Sequence, residues 1–600
     1  MKVLPRLILW LGLCCGFTFA QIKENPLLVV LSDTGQVREG LPVLKPHPEG
    51  RAIAEVLLKG FPLKMLRLYR YVQIYLNGSL NLRPEPAYLL FSSHQGGFPR
   101  FGFYLQDELK KGTGYVDLFK TKRLTGHFSA VDQIFPHELG HIIVRLLSGE
   151  PSPGGANQMH AIAVRTDPRV AFQEGFGEHL QVMAVDDPEA DPSTHTLASD
   201  HAQLRLAERQ LALYRRELQA YWSFATPKKM GFLFWYSGAE QVLRYHAVKA
   251  NAFAYTPEIP SGLLDRRDPY AAYLLENIMP GNSKSQQKSA SVMFSTEGCV
   301  SSLFYRWASD HEIGSRFLDE SFYERFGAVQ SSISPVENAY LKLFHAIHAG
   351  RSQDTGSVIA AYKTAFPEEA QIVGRIVDSV LLGQPLSSAP AIWLANPDFK
   401  TGTGLFDQFR AVPRVHTFDL NAATLIDLLG VPGIDRALAA RILQAGPFSD
   451  LSSLEGVQGR GRPLMERFKF MAQEMERLKI GDEDSALSSL PRVVVSYVWR
   501  ALVVLVVASV SGGMFYRRVR RSGLSRSMTN GLAVSFAVVA LSWGVVGAEG
   551  FLGYLLPVLI FGLPSMLFQL ARRRWQLAFP ELLAWAVAAL PAKLLTYPWF

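Results

Sequence analysis

Apolar and polar residues repeat with two different periods in the first third of the chain, and each period predicts a different element. Between residues 69 and 76 they alternate, which predicts a strand, and residues 87–91, 100–105 and 115–119 are further strand candidates separated by turns that contain Gly or Pro. Apolar residues at helical spacing then predict a helix through Phe135 and Leu147. The pattern therefore predicts a small sheet followed by a helix.

Helical patterns continue through the middle of the chain. Residues 201–221 predict a charged surface helix, residues 232–255 predict an aromatic-rich core helix, and residues 298–382 predict several helices. A stretch rich in Pro, Gly and Ser at residues 384–404 predicts a domain boundary. Beyond it, residues 417–471 contain two rounds of helix, glycine turn and helix.

Both ends of the chain are apolar. Residues 1–20 have a basic start, an apolar run and a small-residue end, which predicts a signal peptide. Four apolar segments between residues 493 and 595 predict membrane spans. Residues 493–600 contain 10 Lys or Arg and 2 Asp or Glu, which accounts for the whole net charge of +8. Because arginine clusters follow the first and third spans, we expect residues 21–492 on the extracytoplasmic side of the cell membrane.

The candidate chemistry lies in the helix after the predicted sheet, where His137, Glu138 and His141 form the pattern H-E-x-x-H. Residues four apart lie one helical turn from each other, so both histidines project from one face and can bind one Zn²⁺ ion. Glu138 can then face an attacking water as a general base. A catalytic zinc needs a third protein ligand. Glu174 on a second predicted helix is the first candidate, and Glu297 is the alternative.

The H-E-x-x-H pattern, followed by a helix with Glu174-Gly175-Phe176-Gly177-Glu178, resembles the gluzincin metallopeptidases. The resemblance implies that His137, His141 and Glu174 bind zinc, that Glu138 is the general base and that Glu178 orients a ligating histidine. It also implies a sheet whose edge strand, here residues 115–119, pairs with an extended peptide. Candidates for stabilising the oxyanion are Tyr236, Tyr245, His246, Tyr255 and His160.

The two glycine turns after residue 417 resemble the paired helix-hairpin-helix module of competence-type DNA receptors. The resemblance implies contacts to phosphates at Gly433, Gly459, Arg460 and Gly461. Asp435 stands where such hairpins usually have glycine, and residues 411–480 carry 9 basic and 8 acidic residues. The electrostatic attraction for DNA is therefore small, and we expect weak DNA binding or a role in protein contacts.

The whole chain predicts an α+β zincin-like catalytic domain with a helical second half, an all-α helix-hairpin-helix domain and C-terminal transmembrane helices. The predicted domains are a signal peptide (1–20), a catalytic domain (21–260), a helical subdomain (261–385), a linker (386–412), a helix-hairpin-helix domain (413–480) and a membrane region of three to four helices (493–600). The predicted function is that of a membrane-anchored, extracytoplasmic zinc metallopeptidase acting on a peptide or protein. The alternative is a non-catalytic, exported membrane protein that binds DNA or protein.

Overall fold

The structure of the chain is a computed structural model. It describes residues 27–80, 84–93, 97–120, 122–128, 130–149, 162–163, 165–166, 168–199, 202, 204–205, 209, 238–256, 286–385, 389–396, 416–457 and 462–478. The predicted signal peptide and membrane spans lie outside these residues, as do His160, Tyr236 and the second glycine turn with Gly459, Arg460 and Gly461.

Five strands near the start of the chain form a closed barrel in the order β1-β2-β4-β5-β3. β1 pairs with β2, and β4 with β5, in antiparallel fashion, whereas the other three pairs are parallel. Side chains such as Phe103 and Tyr115 fill the barrel interior. The strands are β1 (Leu28–Arg38), β2 (Leu41–Pro46), β3 (Ala87–Ser92), β4 (Gly97–Leu105) and β5 (Glu108–Phe119). The three later strand predictions are confirmed, whereas β1 and β2 were not predicted.

Two helices, α1 (Gly50–Leu57) and α2 (Gly60–Leu80), connect β2 with β3. The strand predicted at residues 69–76 is wrong, because this stretch lies inside α2. Among its buried residues, one row recurs every three or four positions, which is the helical period; the row is Met65, Tyr69, Val72 and Leu76. Aromatic side chains on the more exposed face of the helix produced the apparent alternation.

The helices that follow the barrel share one hydrophobic core with its outer surface, and this core extends from Leu28 to Leu381. We call this part the body. Its helices are α3 (Val131–Ser148), α4 (Pro168–Asp186), α5 (Pro192–Ser199), α6 (Gly238–Lys249), α7 (Ala290–Phe294), α8 (Glu297–Ala308), α9 (His311–Ser315), α10 (Glu320–Glu324), α11 (Pro335–Gly350), α12 (Thr355–Ala365) and α13 (Ala370–Leu381). Two short strands, β6 (Tyr255–Thr256) and β7 (Gln286–Gln287), form an antiparallel pair.

The described residues between 389 and 478 have a hydrophobic core of their own, and we call them the hairpin module. It consists of the antiparallel strands β8 (Trp393–Asn396) and β9 (His416–Asp419) and the helices α14 (Leu425–Leu429), α15 (Arg436–Ala445) and α16 (Arg462–Leu478). Strand β8 lies within the predicted linker 386–412, so that segment contributes to the module.

The predicted peptide-binding edge is wrong. Residues 115–119 belong to β5, which pairs with β3 on one side and with β4 on the other. Because both sides of this stretch are hydrogen-bonded within the barrel, it has no free edge to offer a peptide.

The predicted fold class also needs correction. Within the residues that the structure describes, no helix is long and apolar enough to cross a membrane. The longest of them, α2, carries Lys64, Arg67 and Arg70, and charges of this kind are costly inside a bilayer. The fold is therefore a mixture of helices and strands built around a five-stranded barrel, and C-terminal transmembrane helices are not among the elements that the structure supports.

Candidate metal centre

Helix α3 holds both histidines of the H-E-x-x-H pattern inside the body. It includes Pro136 and ends at Gly149, whose φ of 71° is the left-handed conformation that stops a helix. His137, Glu138 and His141 are each only 6% exposed. The pattern therefore lies on a buried helix, where polar side chains need partners.

Helix α4 packs closely against α3 because glycines lie at the contact. A Cβ atom at Gly140 would lie 2.3 Å from Leu180 Cδ1, and a Cβ atom at Gly177 would lie 2.7 Å from His137 Nε2. Larger residues at either position would push the two helices apart. The glycines thus allow Glu174, on α4, to approach the two histidines of α3.

Three potential ligand atoms converge between these helices. His137 Nε2 lies 3.0 Å from His141 Nε2, and Glu174 Oε2 lies 3.5 Å from each of these nitrogens. In a tetrahedral site with metal–ligand bonds of about 2.0–2.1 Å, the ligand atoms are about 3.3 Å apart. The three atoms therefore fit one face of a zinc tetrahedron, which leaves the fourth position for water or substrate.

Glu138 lies beside this group of atoms, and its ligand atom and those of the two histidines lie within 4.8 Å of one another. A Cβ atom at Gly97 would be 2.4 Å from Glu138 Oε1, so the backbone of β4 lies against the carboxylate. Burial raises the pKa of Glu138, and the neighbouring imidazoles oppose that rise. Burial lowers the pKa of Lys122, while its attraction to Glu138 acts in the opposite direction. The carboxylate thus lies against a strand backbone and interacts electrostatically with Lys122.

The group that holds the ring of His137 is Gln181, which the sequence analysis missed. Its carboxamide lies 2.8 Å from His137 Nδ1. The nearest atom is Gln181 Nε2, which donates to an unprotonated Nδ1. With a metal on Nε2 the proton would lie on Nδ1, and the carboxamide would turn over so that its oxygen accepts the hydrogen bond. Glu178, which was expected in this role, instead accepts a hydrogen bond of 2.7 Å from Arg244 Nη1. The available signal was the spacing, because Gln181 lies seven residues after Glu174 on the same helical face.

Glu297, the alternative third ligand, lies at the start of α8 and is 1% exposed. Its backbone oxygen would be 2.7 Å from a Cβ atom at Gly175. The carboxylate 3.5 Å from both histidines is that of Glu174. Among the oxyanion candidates, the Tyr245 hydroxyl donates a hydrogen bond to Asp186.

The described glycine turn of the hairpin module is at Gly433, with a φ of 88°. Asp435 is the N-cap of α15, and its Oδ1 accepts a hydrogen bond of 2.7 Å from the Leu438 amide. A phosphate at this helix terminus would compete with that carboxylate for the amide.

Comparison of the chain with known protein families, with curated proteins and with solved structures finds no match. A function can therefore be inferred only from the geometry of the site.

Proposed function

We propose that the protein is a zinc-dependent peptidase whose metal is held by His137, His141 and Glu174. The observation that supports this proposal is the convergence of two imidazole nitrogens and one carboxylate oxygen at separations of 3.0–3.5 Å. This donor set is one of those that catalytic zinc sites use. Zinc bound there would act as a Lewis acid that polarises the scissile carbonyl and lowers the pKa of water.

The residues around the ligands would do the remaining work. Glu138 would take the proton of the attacking water and pass it to the leaving amine. Gln181, with its carboxamide oxygen turned toward Nδ1, would hold His137 in the tautomer that leaves Nε2 free to bind metal. Burial of both groups excludes bulk water from the site, which strengthens the electrostatic interactions there.

The substrate backbone would lie along β4 rather than β5. Among the described residues, 97–101 of β4 pair only with β5, because the contact of β4 with β2 is limited to Tyr104 and Leu105. This unpaired edge includes Gly97, which lies against Glu138. An extended peptide could add to it through main-chain hydrogen bonds and so bring a peptide bond beside the general base.

The test is a metal analysis of the purified protein together with an assay on a peptide library. We expect one zinc ion per chain and cleavage that a chelator abolishes and zinc restores. Glu138→Gln should keep the zinc and lose turnover, because an amide cannot accept the proton. His141→Ala should lose both.

His311→Ala is the matched control, because His311 is an exposed histidine at the start of α9. It should retain zinc and activity. A folded protein that binds no zinc, or cleavage that survives His141→Ala, would overturn the proposal.

A further inference from the structure

A buried ion pair joins the hairpin module to the body. The guanidinium of Arg165 donates to the carboxylate of Asp427 on α14, and the two residues are 4% and 0% exposed. A second polar contact lies nearby, where Ser291 Oγ donates to Asp419 Oδ2 at 3.3 Å. Because separating a buried ion pair is costly, the positions of Arg165 and the module are coupled.

The segment that carries Arg165 is hydrogen-bonded to the start of α8. Arg165 forms an isolated β-bridge with Thr296. The Thr166 amide donates to the Ser295 carbonyl, and the Gly298 amide donates to the Ile162 carbonyl, each at 2.8 Å. These bonds lie on both sides of Arg165, so a displacement of its backbone would also displace the start of α8.

The start of α8 lies against the helix that supplies the third ligand. A Cβ atom at Gly175 would be 2.7 Å from the Glu297 carbonyl oxygen and 2.6 Å from Val300 Cβ. The backbone of α4 at Gly175 and the start of α8 are thus packed so closely that no side chain larger than that of glycine fits between them. A shift of one therefore displaces the other. Gly175 directly follows Glu174, whose carboxylate lies 3.5 Å from both histidine nitrogens.

We infer that the hairpin module positions Glu174 for metal binding, and that Arg165 and Asp427 are the positioning residues that transmit its effect. The inference rests on the proposed function, since it concerns the third zinc ligand. The contacts run without a gap from Asp427 to Arg165, through the start of α8, to the backbone beside Glu174. Removing the charge of Asp427 would break the buried ion pair that ties Arg165 to the module, and the segment would shift.

The test variant is Asp427→Asn in the full-length protein. Asparagine keeps an oxygen that can accept the hydrogen bond from the Thr424 amide, so the cap of α14 is preserved. It lacks the negative charge that pairs with Arg165. We expect zinc affinity, measured by competition with a chromophoric chelator, to fall about 10-fold or more. The visible absorption of the Co²⁺-substituted protein should change as well, because it reports the ligand geometry.

The matched control is Glu369→Gln, which removes the charge from a buried pair elsewhere in the body. Glu369 Oε1 lies 2.6 Å from Lys342 Nζ, and the two side chains are 1% and 0% exposed. This variant should lose stability but keep its zinc affinity and Co²⁺ spectrum. In a Glu174→Ala background, Asp427→Asn should weaken zinc binding no further, because the positioned ligand is already absent.

Zinc affinity within twofold of the wild type in folded Asp427→Asn, or equal losses with and without Glu174, would overturn the inference. If Asp427→Asn does not fold, Arg165→Lys replaces it as the test variant. Lysine keeps the positive charge but reaches less far than the guanidinium, so zinc affinity and the Co²⁺ spectrum should change as expected for Asp427→Asn. A wild-type protein that binds zinc but cleaves no peptide would contradict the proposed function and leave this coupling measurable.

Discussion

At residue 97, the absence of a side chain shapes the proposed active site. The backbone of β4 approaches Glu138 so closely at Gly97 that a Cβ atom would lie 2.4 Å from its Oε1. Gly97→Ala should therefore displace the carboxylate while the three ligands stay in place. We expect full zinc content and peptide hydrolysis reduced by roughly 100-fold, since a shift of about 1 Å at a catalytic group costs that much.

Gly112→Ala is the control for that variant, because it adds the same methyl group to β5 where nothing lies within 4 Å. Steady-state kinetics and metal analysis of the two proteins give the comparison. If Gly97→Ala were as active as Gly112→Ala, the close approach of β4 to the general base would have no catalytic consequence.

Asp132, five residues before His137, makes stability depend on pH. Burial raises its pKa to about 6, with a smaller contribution from Asp191, although Thr194 donates a hydrogen bond to it. The folded state thus binds a proton more tightly than the unfolded chain, and stability from this residue is lost as pH rises from about 4 through 6. Asp132→Asn should remove this pH-dependent loss, which lowers the free energy of unfolding by at most about 3 kcal/mol above pH 6.

Urea unfolding at pH 4.5 and pH 7.5 measures the effect of Asp132→Asn. The variant should gain more stability over the wild type at pH 7.5 than at pH 4.5. Asp107→Asn, whose side chain is fully exposed, should show no such difference. A larger gain at the acidic pH would contradict the direction of the pKa shift.

Among the elements, α15 begins at a carboxylate cap that bears on the predicted weak DNA binding of the hairpin module. Its N-terminal amide at Leu438 is already bonded to Asp435. Asp435→Gly should free this amide and remove a negative charge, so affinity for duplex DNA should increase, while the cost to stability is only a few tenths of a kcal/mol. We expect the wild type to bind no more tightly than about 10 μM at physiological salt.

Fluorescence anisotropy with labelled duplex DNA tests this prediction. Asp354→Gly is the control, because Asp354 caps α12 in the body in the same manner. Submicromolar wild-type affinity with a steep salt dependence would show that the module has a basic surface despite its balanced charge.

The elements also show where a sequence suffices and where it does not. The spacing of His137 and His141 predicts that they share a helical face, and local periodicity is enough for that. Local periodicity wrongly predicted a strand at residues 69–76, because aromatic side chains on the more exposed face of α2 hide the helical period of the buried face. The pairing of β5 on both sides depends on strands distant in sequence, so the predicted edge was wrong. Gln181 was missed because its role arises from the packing of α3 against α4.

The body as a whole should respond to zinc as one unit. Helices α3 and α4 and the outer surface of the barrel share a core that extends from Leu28 to Leu381. A ligand that binds only the folded state stabilises it by about 2.7 kcal/mol at 100 times its dissociation constant. Calorimetry should therefore show a single unfolding transition for the body, and its midpoint temperature should rise when zinc is added. His141→Ala should abolish this rise. Two separate unfolding transitions of the body, with a midpoint temperature that depends on zinc for only one of them, would contradict this expectation.

The barrel strands all lie between Leu28 and Phe119, ahead of both ligand helices in the chain. During synthesis, every strand needed to close the barrel therefore leaves the ribosome before the H-E-x-x-H residues do. The strands can therefore begin to pair before the helices that complete their shared core are available. β4 can thus be paired with β5 when α3 emerges, and Glu138 then packs against a strand whose partner is already present.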